Sequence, residues 1–211
     1  MKPREHTIRV VGGGIGGLTV AVALLRRGFD VHVYEAAPSY GQVGGGHWLY
    51  SNALQTLSAI DPAITADMQA RGKTFDGFRF TTKHGARLLF ERTAPFTART
   101  GLAPIVMHRA DIIGEHDTRR PPERVHFAKR LERYADDTLH FEDGTAVAAT
   151  LVIGADGIHS RVRRDALTKQ QPRDSGQVGL WGISATELPD STGCYFQEMW
   201  GNGVRFGFTY V

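Results

Sequence analysis

The chain has 211 residues, 41% hydrophobic and 22% charged, which is enough apolar material for one large domain or two small ones. Its 25 Lys and Arg are scattered among 22 Asp and Glu for a formal charge of +3, and this balance suggests no nucleic-acid partner. A single cysteine, Cys194, rules out an intrachain disulfide and a Cys-based metal site; the polar start and glycine-broken apolar run after it give neither signal peptide nor membrane span, so a cytoplasmic protein is expected.

Taken in chain order, Thr7 to Val11 is short and β-rich and runs straight into glycines. Ile15 to Arg27 then carries apolar residues at near-helical spacing and stops at Gly28, and Asp30 to Tyr34 alternates and ends on Glu35. Strand, helix and strand make a βαβ unit with parallel pairing. Ser51 to Ile60 is predicted helical with Ser51 or Asn52 as cap, and Phe78 to Phe90 as a hairpin turning at His84 and Gly85. The pattern predicts a short helix over Met107 to His116, ended by the prolines within Arg119 to Glu123. Strands are predicted at Val125 to Ala128, Leu139 to Phe141, Ala146 to Ile153, Val178 to Thr186, Cys194 to Trp200 and Val204 to Val211.

The run VVGGGIGGL places Gly12, Gly14 and Gly17 in a G-x-G-x-x-G pattern between strand and helix. Gly12 allows the tight turn, Gly14 allows a backbone to approach a pyrophosphate, and Gly17 allows close helix–strand packing, while the helix amino terminus favours negative charge. Glu35 ends the second strand where an acidic side chain can bind ribose hydroxyls, so the spacing points to FAD or NAD rather than NADP.

A second motif, LVIGADGIHSRVRR, runs a strand into Gly154, Asp156 and Gly157 and then into a basic helix start. Asp156 has two readings, an acceptor for cofactor hydroxyls or a cap for that helix. Arg161, Arg163 and Arg164 likewise fit either a solvated helix face or a phosphate contact. No H-E-x-x-H or Cys/His ligand pattern appears among the nine histidines, so no metal is expected.

The glycine fingerprint with Glu35, then IVMHRAD at Ile105 to Asp111, then IGADGIHSRVR, in this order and spacing, resembles the flavin-dependent aromatic hydroxylases related to p-hydroxybenzoate, salicylate and 6-hydroxynicotinate hydroxylases. The resemblance implies an α/β fold: a Rossmann-like FAD-binding domain with a parallel sheet over 1–168, and an incomplete β-sheet substrate domain over 169–211, to which the hairpin within 75–95 contributes. It implies FAD contacts from Gly12, Gly14, Ile15, Gly16, Gly17, Glu35, Ala36, Gly46, His47, Arg109, Leu131, Asp156 and Gly157. Arg109 would reach the ribityl or phosphate part, and VGGGHWLYSNAL, Val43 to Leu54, would lie beside the isoalloxazine ring. His47 is the one candidate catalytic residue, as a base or as a residue that orients substrate, against a packing or exposed role.

The implied reaction is reduction of FAD by NADH or NADPH, formation of a flavin 4a-hydroperoxide with dioxygen, and transfer of one oxygen to a small aromatic or heteroaromatic ring. Several positions depart from the family pattern: Ser51 stands where proline is usual, His47 and Trp48 replace smaller or aliphatic residues, and Ala36 replaces a long polar residue. The family's second glycine-aspartate motif does not follow Asp156, and the sheet that ends at Val211 reads as unfinished. An FAD-binding fragment without independent activity, completed by a partner chain or as a homodimer, is therefore a second reading. An NAD-dependent dehydrogenase is a third, opposed by the second motif and the β-rich tail.

Overall fold

The computed structural model describes residues 7–41, 44–189 and 193–211. The chain forms two compact units, one of 1–42 with 112–180 and one of 43–111 with 181–211. The division is not a single cut along the sequence. No helix among the described residues is long and apolar enough to cross a membrane.

In the first unit four parallel strands lie in the order Leu151–Gly154, Thr7–Val11, Asp30–Tyr34 and Val125–His126. The expected βαβ unit forms with the expected parallel pairing, Thr7 opposite Asp30 and Val11 opposite Tyr34. Side chains alternate across a sheet that is buried on both faces. Ile8, Val10, Val31 and Val33 pack on Leu18 and Ala21 of the helix Ile15–Leu25, while Val11 and Tyr34 pack on Leu131, Leu139, Phe141 and Val162. Full burial of one such side chain contributes about 1.5–3 kcal/mol. The helix stops where Gly28, at φ +80°, donates its N–H to the Leu25 carbonyl.

A second sheet of this unit is antiparallel, Ala146–Ala148 beside Thr138–Phe141 beside Leu131–Ala135. Its tight turn places Asp136 and Asp137 at φ +49° and +51°, the twist that two-residue hairpins favour. Two expectations change here. The single strand expected over Ala146 to Ile153 is two strands in different sheets, because buried Ala149 turns inward and donates its N–H to the Asp137 carbonyl at 2.7 Å. The strand expected to Ala128 ends at His126, and Ala128 takes a positive φ of 55°.

In the second unit Tyr195–Trp200 runs parallel to Gly77–Thr82 and antiparallel to Arg205–Phe208, and the hairpin partner Arg87–Arg92 completes four strands. A smaller sheet joins Gly46–Leu49, Ile105–His108 and Lys73–Thr74. The helix predicted from Met107 therefore begins later: Ile105–His108 is a strand, held by neighbours on both sides with Ile105, Val106 and Met107 buried, and the helix is Arg109–Asp117. Helix Ser51–Ile60 forms as predicted, but Tyr50 is its cap residue, and Ser51 instead donates its hydroxyl to the Leu102 carbonyl at 2.9 Å. Val178 to Thr186 forms no strand; with no neighbouring strand to pair, Val178 and Leu180 lie 90% and 93% exposed. Helices Pro62–Arg71 and Ala94–Thr100 carry no strong periodic signal, and each has proline in its first turn.

Three histidines of the first unit are held neutral. His116 is fully buried, its Nδ1 donating to the Ile112 carbonyl at 2.7 Å with Nε2 2.9 Å from the Thr19 hydroxyl, and burial pushes its pKa below the ordinary 6.5. Arg124 donates to His32 Nε2, so His32 Nδ1 donates to His126 Nε2 at 2.8 Å. Burial first, then neighbouring Arg9 and, for His32, Arg124, lower both of these pKa values as well. Unfolded histidine takes up a proton near 6.5 while the folded groups do not, so their stabilisation is complete above 6.5 and is lost as pH falls toward the lowered native values. The thermal midpoint is expected to drop between about pH 7.5 and pH 5.5, and His116→Gln to flatten that slope. A midpoint independent of pH over this interval would contradict the assignment.

Packing sets a second expectation. A Cβ on Gly17 would overlap the carbonyl oxygen of Gly12 and come within 3.2 Å of Ala155 Cβ. Gly17→Ala should cost about 1–3 kcal/mol in urea unfolding.

Candidate cofactor site

Thr7–Val11 has Asp30–Tyr34, the next strand in this sheet, on one side and Leu151–Gly154, the last strand of this sheet, on the other, so the strand order reverses here. The crevice beyond the carboxyl ends at such a switch point is where open parallel sheets bind ligands. The three strand ends are tied together there. Gly12 donates its N–H to the Tyr34 carbonyl at 2.8 Å, and Ala155 donates to the Val11 carbonyl at 2.7 Å. Gly12 sits at φ +105°, and a Cβ on it would overlap the Ala155 carbonyl and approach Asp156 N at 2.9 Å.

Gly14 is different. A Cβ built on Gly14 meets no heavy atom of the chain within 4 Å, and the backbone there is extended with φ −74°. Internal packing therefore does not require glycine at 14, whereas close approach of an external group does. Gly14 also caps helix Ile15–Leu25 with no side chain serving its first N–H groups, so Ile15, Gly16 and Gly17 present backbone donors at the positive end of an 11-residue helix. Gly16 likewise meets nothing within 4 Å. This cradle fits the pyrophosphate of a dinucleotide.

Glu35 stands over the same turn. One carboxylate oxygen accepts the Gly13 N–H at 2.6 Å and the other accepts the Ala37 N–H at 2.8 Å, with Ala36 half-buried between them. Each oxygen keeps acceptor capacity for a ribose hydroxyl. Tyr40 carries no signal in the sequence, being an aromatic residue in a polar loop. Its hydroxyl lies 3.2 Å from a Cβ built on Gly13, buried and under the influence of Arg120, and burial pushes its pKa up to about 12. The ring packs edge-on against Phe127.

Asp156 acts as a cap. Its carboxylate accepts the backbone N–H groups of Arg161 at 2.6 Å and Val162 at 3.2 Å and the Ser160 hydroxyl, and Ser160 Oγ accepts the Arg163 N–H at 2.9 Å. Gly157, at φ +83°, supplies the left-handed turn between strand and helix. Leu131 is a buried core side chain beside Val11 and Phe141, so only its backbone is available to a ligand.

Gly46, His47 and Arg109 belong to the second unit. His108 Nδ1 accepts the Ala110 N–H, which leaves Nε2 to donate to the Gly44 carbonyl at 3.0 Å, and Arg109 N donates to the Gly45 carbonyl at 3.1 Å. Gly44 sits at φ +119°, and a Cβ there would approach the Arg109 stem at 3.0 Å, so the glycine stretch and Arg109 are packed as one piece. His108 is the residue that fastens them, and nothing in its spacing marks it. His47 is exposed on the strand Gly46–Leu49 with no hydrogen-bond partner among the described residues. Trp48 beside it is in edge contact with Phe196 at 4.5 Å between ring centres.

The cap predicts its own test. Asp156→Ala removes three hydrogen bonds from the start of helix Arg161–Ala166 and should cost about 1–2 kcal/mol in denaturant unfolding of the chain without added cofactor. An unchanged midpoint would remove the capping role.

The FAD binding domain family matches residues 5–203. The 6-methylsalicylate 1-monooxygenase of Aspergillus terreus is 34% identical over 79% of this chain and 40% of its own length. The 6-hydroxynicotinate 3-monooxygenase of Bordetella bronchiseptica is 32% identical over 89% of this chain and 49% of its own length. The crystal structure of Klebsiella pneumoniae HpxO complexed with FAD and uric acid superposes with a TM-score of 0.76 at 25% identity, over 98% of this chain and 53% of that one. The chain thus spans about half the length of the relatives it matches. It belongs to the FAD binding domain family.

Proposed function

We propose that this chain holds FAD and contributes the cofactor-binding part of a monooxygenase that hydroxylates a small aromatic or heteroaromatic ring at the expense of NADH or NADPH and dioxygen. The observation that carries the reading is the open position of Gly14 at the sheet's switch point, under the amino end of a helix and beside Glu35. The N–H groups of Ile15, Gly16 and Gly17 bind the pyrophosphate, and Glu35 with the backbone at Ala36 orients the adenosine ribose. Leu131 offers backbone to the adenine end, and Asp156 and Gly157 set the turn that borders the pyrophosphate.

FAD, once bound, supplies the electron transfer and oxygen chemistry, as cofactors do for reactions that side chains cannot perform. The protein's share is to bind and orient the cofactor and the ring and to exclude water. His47, exposed and unpartnered among the described residues, is placed to take or give a proton at a ring hydroxyl, a role that needs an orienting contact from the substrate itself.

Gly14→Ala separates the site from the fold. Its melting temperature should match the parent chain, because the added methyl meets nothing, while FAD affinity, followed by quenching of flavin fluorescence, falls about tenfold or more. A parent chain that stays colourless with FAD but takes up NADH would overturn the proposal, and equal FAD affinity in both chains would remove Gly14 from the site.

A further inference from the structure

The arginine run at 161–164 does not act as one cluster. Arg161 is half-buried, and Arg163 donates to the Ile158 carbonyl at 2.7 Å, closing its own turn. Arg164 instead lines a cavity of about 520 Å³ in the first unit, together with Arg133 of strand Leu131–Ala135 and Lys169 beyond the helix. Three cations from three separate segments thus border one concavity, outside the glycine turn and Glu35. None of the three has a carboxylate within ion-pairing distance among the described residues. Asp165 also lines the cavity, but one of its oxygens accepts the Tyr134 N–H at 2.8 Å, which pins the helix to the strand and fixes the cavity wall. Arg133, Arg164 and Lys169 outnumber Asp165, the one carboxylate lining the same cavity, so the concavity keeps a net positive charge that an anion seated in it relieves.

We propose that this cleft binds the phosphate groups of a soluble adenosine phosphate. Two guanidinium groups match phosphate oxygens in pairs, the ammonium of Lys169 adds a point charge, and the volume lies in the range of small-molecule sites rather than of a single ion. Two sources share this chemistry: the 2′-phosphate of NADPH, an assignment that rests on the co-substrate reading above, and a free adenine nucleotide, which does not.

The test is isothermal titration of FAD-saturated protein with adenosine 2′,5′-bisphosphate and with ADP, in the parent chain and in Arg133→Gln/Arg164→Gln/Lys169→Gln. The bisphosphate is expected to bind the parent, to weaken with added salt, and to lose about tenfold or more in the triple variant while FAD uptake stays the same. Displacement of the bisphosphate by NADPH but not by NADH assigns the cleft to the co-substrate. Tighter binding of ADP than of the bisphosphate, with no displacement by NADPH, assigns it to a free nucleotide. No binding to the parent, or equal binding to the triple variant, overturns the proposal, because a nucleotide held at the intact glycine turn survives these substitutions. Failure of the chain to take FAD is read separately, and strikes the function proposed above and not the cleft.

Discussion

Backbone lies against backbone at Gly12, and the architecture of the first unit depends on it. The first strand, the helix that follows and the turn after Gly154 meet within van der Waals distance, with room for a side chain on neither Gly12 nor Gly17. That contact brings the helix amino end and the Asp156 turn to one edge of the sheet, while Gly12 N–H ties the edge to Tyr34 and so to Glu35 beyond it. Hydrophobic burial on both faces then makes this arrangement rigid: Val10 and Val11 point into different cores, so a slip of one residue would exchange their environments.

The glycines of the fingerprint divide by role. Gly12 and Gly17 answer to the protein's own packing, and Gly14 and Gly16 answer to nothing within the chain. The same division recurs in the second motif, where Gly154 faces Val162 at 3.0 Å and Gly157 supplies a positive φ with open space around it. Tight internal packing and open backbone thus alternate along the same few residues, and substitution at alternate glycines separates the two.

Legibility in the sequence followed the range of the interactions. The βαβ unit, its parallel pairing and the hairpin at His84 and Gly85 were readable because periodicity, punctuation and turn chemistry all agree locally. The helix expected from Met107 loses Met107 and His108 to a strand, because the strand state of Ile105 to His108 comes from neighbours more than 30 positions away at Lys73 and about 60 away at Gly46. Val178 to Thr186 failed in the opposite direction, β-rich in composition with no strand to receive it. At the site, Glu35 was visible from spacing, but its two backbone partners, the buried hydroxyl of Tyr40 and the grip of His108 on Gly44 were not, since each depends on where loops return. The capping reading of Asp156 became visible only in the geometry of its three donors.

Glu35 carries a consequence for redesign. Dinucleotide selectivity is commonly retuned at this acidic position, on the premise that the side chain addresses only the ribose. Here the carboxylate also clamps the Gly13 and Ala37 amides. Exchanging it for a short or cationic residue to admit a 2′-phosphate would release the very loop that shapes the pocket, so preference at this site can be rewritten only together with a replacement anchor for those two amides.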